Sequence, residues 1–170
     1  MLYHIVPSPM VGDTLFPATE LQHRLPKVYT GAMGKYQRRP HIPENYIPQL
    51  DCYWSDVVFF SAVHPTLMRK VLIDCGLSNL RLTKSFLVDP AHLDLTKLIV
   101  YEYEEDIPAT GRYVPFDSGR LAEYGRLSEA AKAYYRWAIA KGERVFPFHL
   151  VTHILYQGSV NISGVPVVEA

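Results

Sequence analysis

The chain has 170 residues, 48% of them hydrophobic and 12% aromatic, which is enough to bury one core and to fold as a single domain. Seventeen acidic residues balance seventeen basic ones. That balance excludes a chain-wide attraction to nucleic acid or to a membrane surface and leaves recognition to local groups.

Cys52 and Cys75 lie outside any CxxC spacing, so neither a disulfide framework nor a structural zinc centre is expected. No apolar run reaches about 18 residues and no charged leader precedes one, so the expectation is a cytoplasmic chain with no membrane partner.

In chain order, LYHIV (residues 2–6) reads as a short strand stopped by Pro7 and Pro9, with Leu2, His4 and Val6 on one face. Residues 18–34 have helical character, with Thr19 as N-cap and a break at Pro26. GKYQRRPHIPENYIP (34–48) reads as a proline-rich loop able to close over a site. DVVFFSA (56–62) is β-branched and aromatic, as a central strand would be. In the helix that follows, Pro65 opens the first turn, Leu67, Val71 and Cys75 share a face, and Gly76 ends it.

SFLVD (85–89) and KLIVYEYE (97–104) read as two further strands, followed by an acidic loop and an irregular stretch over 111–125. LSEAAKAYYRWAIAKG gives the clearest helix, with Leu127, Ala131, Tyr134 and Ala138 on one stripe, Glu129, Lys132 and Arg136 on another, and a stop at Gly142. HLVTHILYQGSV and VPVVEA read as two strands around a turn at 158–164. Strands and helices mix without βαβ alternation, which predicts an α+β fold.

His4 reads in two ways, as a satisfied core histidine or as a neutral imidazole able to grip a ribose hydroxyl. P-loop, HExxH, GxSxG and GxGxxG motifs are all absent from the sequence. His149 and His153, placed on one strand, would stand roughly 13 Å apart, too far for one metal ion. Asp117, Ser118 and Arg120 offer a carboxylate, a hydroxyl and a guanidinium from a loop, or else ordinary turn chemistry. Lys35, Arg38, Arg39 and His41, with Tyr36 and Tyr46, suit phosphate binding and base stacking, or form a solvated loop. Glu102, Glu104, Glu105 and Asp106 read first as strand-end solubility and second as acid–base groups.

The ordered set LYHIVP, DVVFFSAVHP, FLVDPAHLD and VTHILYQGSVNISGVPVV resembles the ADP-ribosyltransferase superfamily, and most of all its compact bacterial members and the tRNA 2′-phosphotransferases. The resemblance implies a split, mostly antiparallel sheet with flanking helices and NAD as substrate, with ADP-ribose passed to an acceptor. It implies that His4, beside Tyr3, holds the NAD ribose, and that a second position falls near Phe60 and Ser61. Where many members carry a late-strand glutamate this chain has His153 or Gln157, so Asp117 or His153 is the expected catalytic group. A neutral imidazole does not compensate developing positive charge as a carboxylate does. A phosphate-directed transferase would use Arg38, Arg39, Arg112 and Arg120 instead, and a non-catalytic nucleotide- or peptide-binding module would need no such group.

Overall fold

The computed structural model describes residues 1–37, 39–103 and 111–170. Eleven strands and five helices follow in order: β1 (Leu2–Ile5), β2 (Thr14–Leu15), α1 (Ala18–Arg24), α2 (Pro26–Met33), β3 (Tyr46–Ile47), β4 (Cys52–Tyr53), β5 (Val57–Phe60) and α3 (Pro65–Asp74). Then come β6 (Lys84–Val88), β7 (Leu98–Tyr103), β8 (Gly111–Pro115), α4 (Leu121–Tyr124), α5 (Glu129–Ala140), β9 (His153–Gln157), β10 (Val160–Asn161) and β11 (Val167–Glu169). Antiparallel sheets and separate helices make the class α+β.

Two sheets carry the architecture. One has the order β1-β6-β11, with Leu2 opposite Val88 and Val167 opposite Phe86; the other has the order β5-β9-β7-β8. They meet where Tyr3 N–H donates to the Ser61 carbonyl (2.7 Å) and Ser61 N–H donates back to Tyr3 (3.0 Å). β1 thus stays paired with β6 along its whole length while Tyr3 also bridges the edge of the other sheet, and His4 follows directly after the bridge.

Strand alternation gives the four-stranded sheet two apolar faces. Val58, Phe60, Val100, Ile154 and Tyr156 pack with Leu2 and Phe86 in the main core. On the opposite face Val57, Ile99 and Leu155 are covered by Ile47, Leu50, Cys52 and Trp54. A third cluster joins α3 to α5 through Met68, Leu72, Ala131 and Tyr135.

Several sequence expectations need correction. The 18–34 helix is two helices: Leu25 takes φ −139°, ψ 67°, as a residue preceding proline tends toward extended backbone, and Pro26 opens the second. Pro17 rather than Thr19 stands at the first N-cap, and the Thr19 hydroxyl donates to the Ser55 carbonyl instead (3.3 Å). The 34–48 stretch is only partly loop, since it holds two 3₁₀ turns and β3, which pairs with β4 and lies over the sheet. The expected central strand at 56–62 is β5, an edge strand with one neighbour in its sheet.

In α3, Leu67 is 41% exposed and the buried face belongs to Met68 and Leu72. The 111–125 stretch contains β8, paired with β7 so that Tyr113 faces Tyr101, and then α4. Residues 149–152 lie outside any strand, so His149 and His153 do not share one extended element. The last two runs form no hairpin: β10 pairs with β2, and β11 with β6. By contrast the expected helix is α5, which the structure starts from a Ser128 N-cap, and Gly76 and Gly142 take the positive φ that helix ends require (104° and 67°).

Candidate functional site

Between β1, β5 and the helices α1 and α2 lies an open cleft of about 190 Å³. His4, Lys35, Tyr36, Trp54, Ser55 and Phe59 line it, with apolar side chains of α1, α2 and the 7–16 stretch making much of the remaining wall. The pleat of β1 aims Leu2 into the core and brings His4 to the same side at the split.

His4 Nδ1–H donates to the Phe59 carbonyl at 2.7 Å, which fixes the tautomer and leaves Nε2 as a neutral acceptor. Its ring stands edge-on to Phe60, 5.8 Å between centroids. Burial pushes the imidazole pKa down to about 4; the Phe59 carbonyl opposes that shift and the Lys35 ammonium adds to it.

Lys35 is the cation of the cleft. Its ammonium stands 4.8 Å from the Tyr36 ring centroid and 5.3 Å from that of Phe59, and it forms no ion pair with any described residue. An amine held on aromatic faces without a carboxylate is free to meet a phosphate.

On the other side of Phe59, His153 sits in an aromatic cluster. Its ring centroid lies 5.9 Å from Trp54, 6.2 Å from Phe59, 6.5 Å from Tyr101 and 6.0 Å from Tyr103. Register places it there, because His153 is directly opposite Tyr101 in the β9–β7 pair. Burial lowers its pKa to about 4, with Lys35 and His149 also lowering it and its backbone bond at Thr152 opposing them. Burial likewise raises the Tyr103 phenol to about 12. The rings of His153 and Tyr103 are therefore neutral near pH 7, and among the described residues the charges next to them are those of Lys35 and Arg39.

The other expected site residues are dispersed. Tyr3 turns to the opposite side of its sheet, into a second cavity, with its ring 5.2 Å from that of His64. Ser61 is buried, and its hydroxyl accepts from Val63 N–H. Asp117 caps the turn at 118–120 by accepting from Gly119 N–H (2.8 Å). Arg120 is bound to Glu102 (3.0 Å) and Glu123 (2.9 Å), and Arg112 to Glu102 (3.3 Å), all on the face of β7 opposite Tyr101 and His153. Arg39 lies with its guanidinium 5.0 Å over Phe146. Gln157 donates to the Leu50 carbonyl (3.0 Å), and His149 packs edge-on to Tyr134 at 4.4 Å. Tyr46 is 48% exposed and bonds Asp51. Arg38, Glu104, Glu105 and Asp106 lie outside the described residues.

The fold thus brings His4, Lys35 and Tyr36 to one cleft and places Asp117 and Arg120 in separate, internally paired surroundings. Trp54, the residue that closes both the cleft and the aromatic cluster, carries no motif in the sequence; its only signal is a large aromatic three residues before the β-branched run of β5. Among the described residues no carboxylate lines the cleft, and no group of three histidine, cysteine or acidic side chains is placed to hold a metal ion. No helix of the described residues is long and apolar enough to cross a membrane.

No family model matches the chain, and the curated proteins and the solved structures likewise give no match.

Proposed function

We propose that the cleft binds a ribonucleotide of the NAD type, with a ribose hydroxyl donating to His4 Nε2, an aromatic ring of the ligand against Trp54 and Tyr36, and a phosphate on Lys35. The observation that carries this reading is the 2.7 Å bond from His4 Nδ1 to the Phe59 carbonyl. It answers why a histidine interrupts an apolar strand: the ring is held as an oriented neutral acceptor at a cavity wall. At about 190 Å³ the cleft accepts part of a dinucleotide, and the remainder extends through its open side.

Transfer of ADP-ribose is the second reading, favoured by the place of His4 at the split between two antiparallel sheets. Without a carboxylate among the described cleft residues, compensation of an oxocarbenium-like charge falls to the π-faces of Trp54 and Phe59 or to the acceptor substrate. Saturation-transfer NMR on NAD, run beside a nicotinamide-release assay, separates the readings. Transfer to the ribose protons without release supports the binding site, and release with turnover supports the transferase. Absence of any transfer to NAD contradicts both.

A further inference from the structure

The pleat that brings His4 to one cleft turns Tyr3 toward a different one. That second cavity, of about 70 Å³, lies across the β1-β6-β11 sheet, under α3 and the 80–83 stretch. Its floor is apolar, formed by Val63, Met68 and Leu72. Arg69 and Arg81 both line it, together with the backbone of Ala170, and no acidic side chain does.

Three observations give this lining a chemistry. Arg69 is oriented, because its guanidinium donates to the Leu80 carbonyl at 3.3 Å, and that one bond leaves other N–H groups to spare. Arg81 forms no ion pair with any described residue, whereas the nearby Lys84 is neutralised by Glu169 at 2.9 Å. Ser85, directly opposite Ile5 in the β1–β6 pair, also lines the cavity; its hydroxyl bonds no described residue and is open to the cavity rather than sealed off, since among the described residues only the Tyr124 hydroxyl is both buried and unpartnered. Lys84 and Glu169 belong to the other face of β6, so their pair does not serve the cavity.

We propose that this cavity is a site for a small oxyanion, a phosphate or carboxylate group, held by the guanidinium groups of Arg69 and Arg81 and by the Ser85 hydroxyl. Guanidinium forks bond both kinds of group in bidentate fashion, and the hydroxyl adds a neutral donor. The volume admits one such group and excludes a nucleotide. The site is separate from the cleft of His4 and does not rest on NAD binding there.

The test is the melting temperature of the full chain against concentration of inorganic phosphate or of acetate, with chloride holding ionic strength constant. A saturable rise is expected for at least one of the two, and the tighter one names the source of the group. Arg81→Gln lies on an exposed stretch and should weaken the apparent Kd about tenfold, as loss of a charge-assisted bond does. Ser85→Ala, a nearly isosteric change, should weaken it about fivefold. NAD binding should be unchanged in Arg81→Gln, which keeps this outcome distinct from that of the cleft. A non-saturating response equal to that of chloride, or an Arg81→Gln variant with the wild-type midpoint, overturns the proposal.

Discussion

At His4 the balance is between burial, which disfavours the imidazolium, and the Phe59 carbonyl, which holds a proton on Nδ1; burial wins and the ring is neutral above about pH 4. NAD affinity should therefore stay flat between pH 5 and 8, and a binding transition centred near 6.5 would show instead a solvated histidine. Stability behaves differently. For His4 and His153 the folded pKa of about 4 lies below the unfolded value of about 6.5, so the unfolded chain takes up protons first as pH falls. Their contribution is complete above about 6.5 and is lost progressively toward pH 4, by up to on the order of 3 kcal/mol each. Urea midpoints at pH 7 and 4.5 should fall less in His153→Gln than in wild type; an equal fall contradicts the burial of that ring. The histidine itself was legible as a candidate because its strand is short and apolar, but its bond to a carbonyl 55 residues away was not.

Among the elements, those that signal locally were legible as elements, though not always in their buried face or place in the sheet. α3 and α5 have an N-terminal proline or a serine cap and a glycine beyond the end, and β6 and β7 are β-branched or aromatic runs. β8 escaped because Gly111 and Pro115 bound it and its register depends on β7. Pairings such as β11 with β6 escaped because alternation sets which face is buried and says nothing of the neighbour. The 34–54 segment is a cover whose anchor is Trp54, 7% exposed and packed on Phe59 and Tyr101 at 5.1 and 5.3 Å. Trp54→Ala should cost about 3–5 kcal/mol in urea unfolding, as truncation of a buried large aromatic does. A loss below about 1 kcal/mol would show that the cover packs without it. Gly125, just after α4, is a second structural test, since an added Cβ would lie 2.9 Å from the Ala62 carbonyl oxygen and 3.3 Å from that of Leu121. Gly125→Ala should destabilise by about 1–3 kcal/mol through overpacking against backbone that has little room to shift. A melting temperature equal to wild type would contradict that contact.

Across the whole molecule, β1 is the shared wall of two cavities with different chemistry: a cleft with a neutral acceptor, aromatic rings and one ammonium, and a small cavity with two guanidinium groups and a hydroxyl. The zero formal charge of the chain conceals this local asymmetry, as averaging over 170 residues must. The candidate site was legible in part. Lys35 and Tyr36 stood out as a basic, aromatic segment, and His4 as a polar residue in a strand, whereas their meeting at one cleft depends on the split between sheets. Asp117 and Arg120 had the composition of a catalytic loop, and their paired, turn-capping surroundings emerge only in three dimensions.

The central claim is that His4 contributes its free nitrogen to a nucleotide ribose, and titration calorimetry with NAD on wild type and His4→Ala tests it most directly. Loss of that bond should cost about 1–3 kcal/mol, a roughly 5- to 150-fold rise in Kd, with the circular dichroism of the variant unchanged. Wild-type protein that takes up no NAD, or a folded His4→Ala that binds it equally well, would contradict the account and leave His4 as a packed histidine of the core.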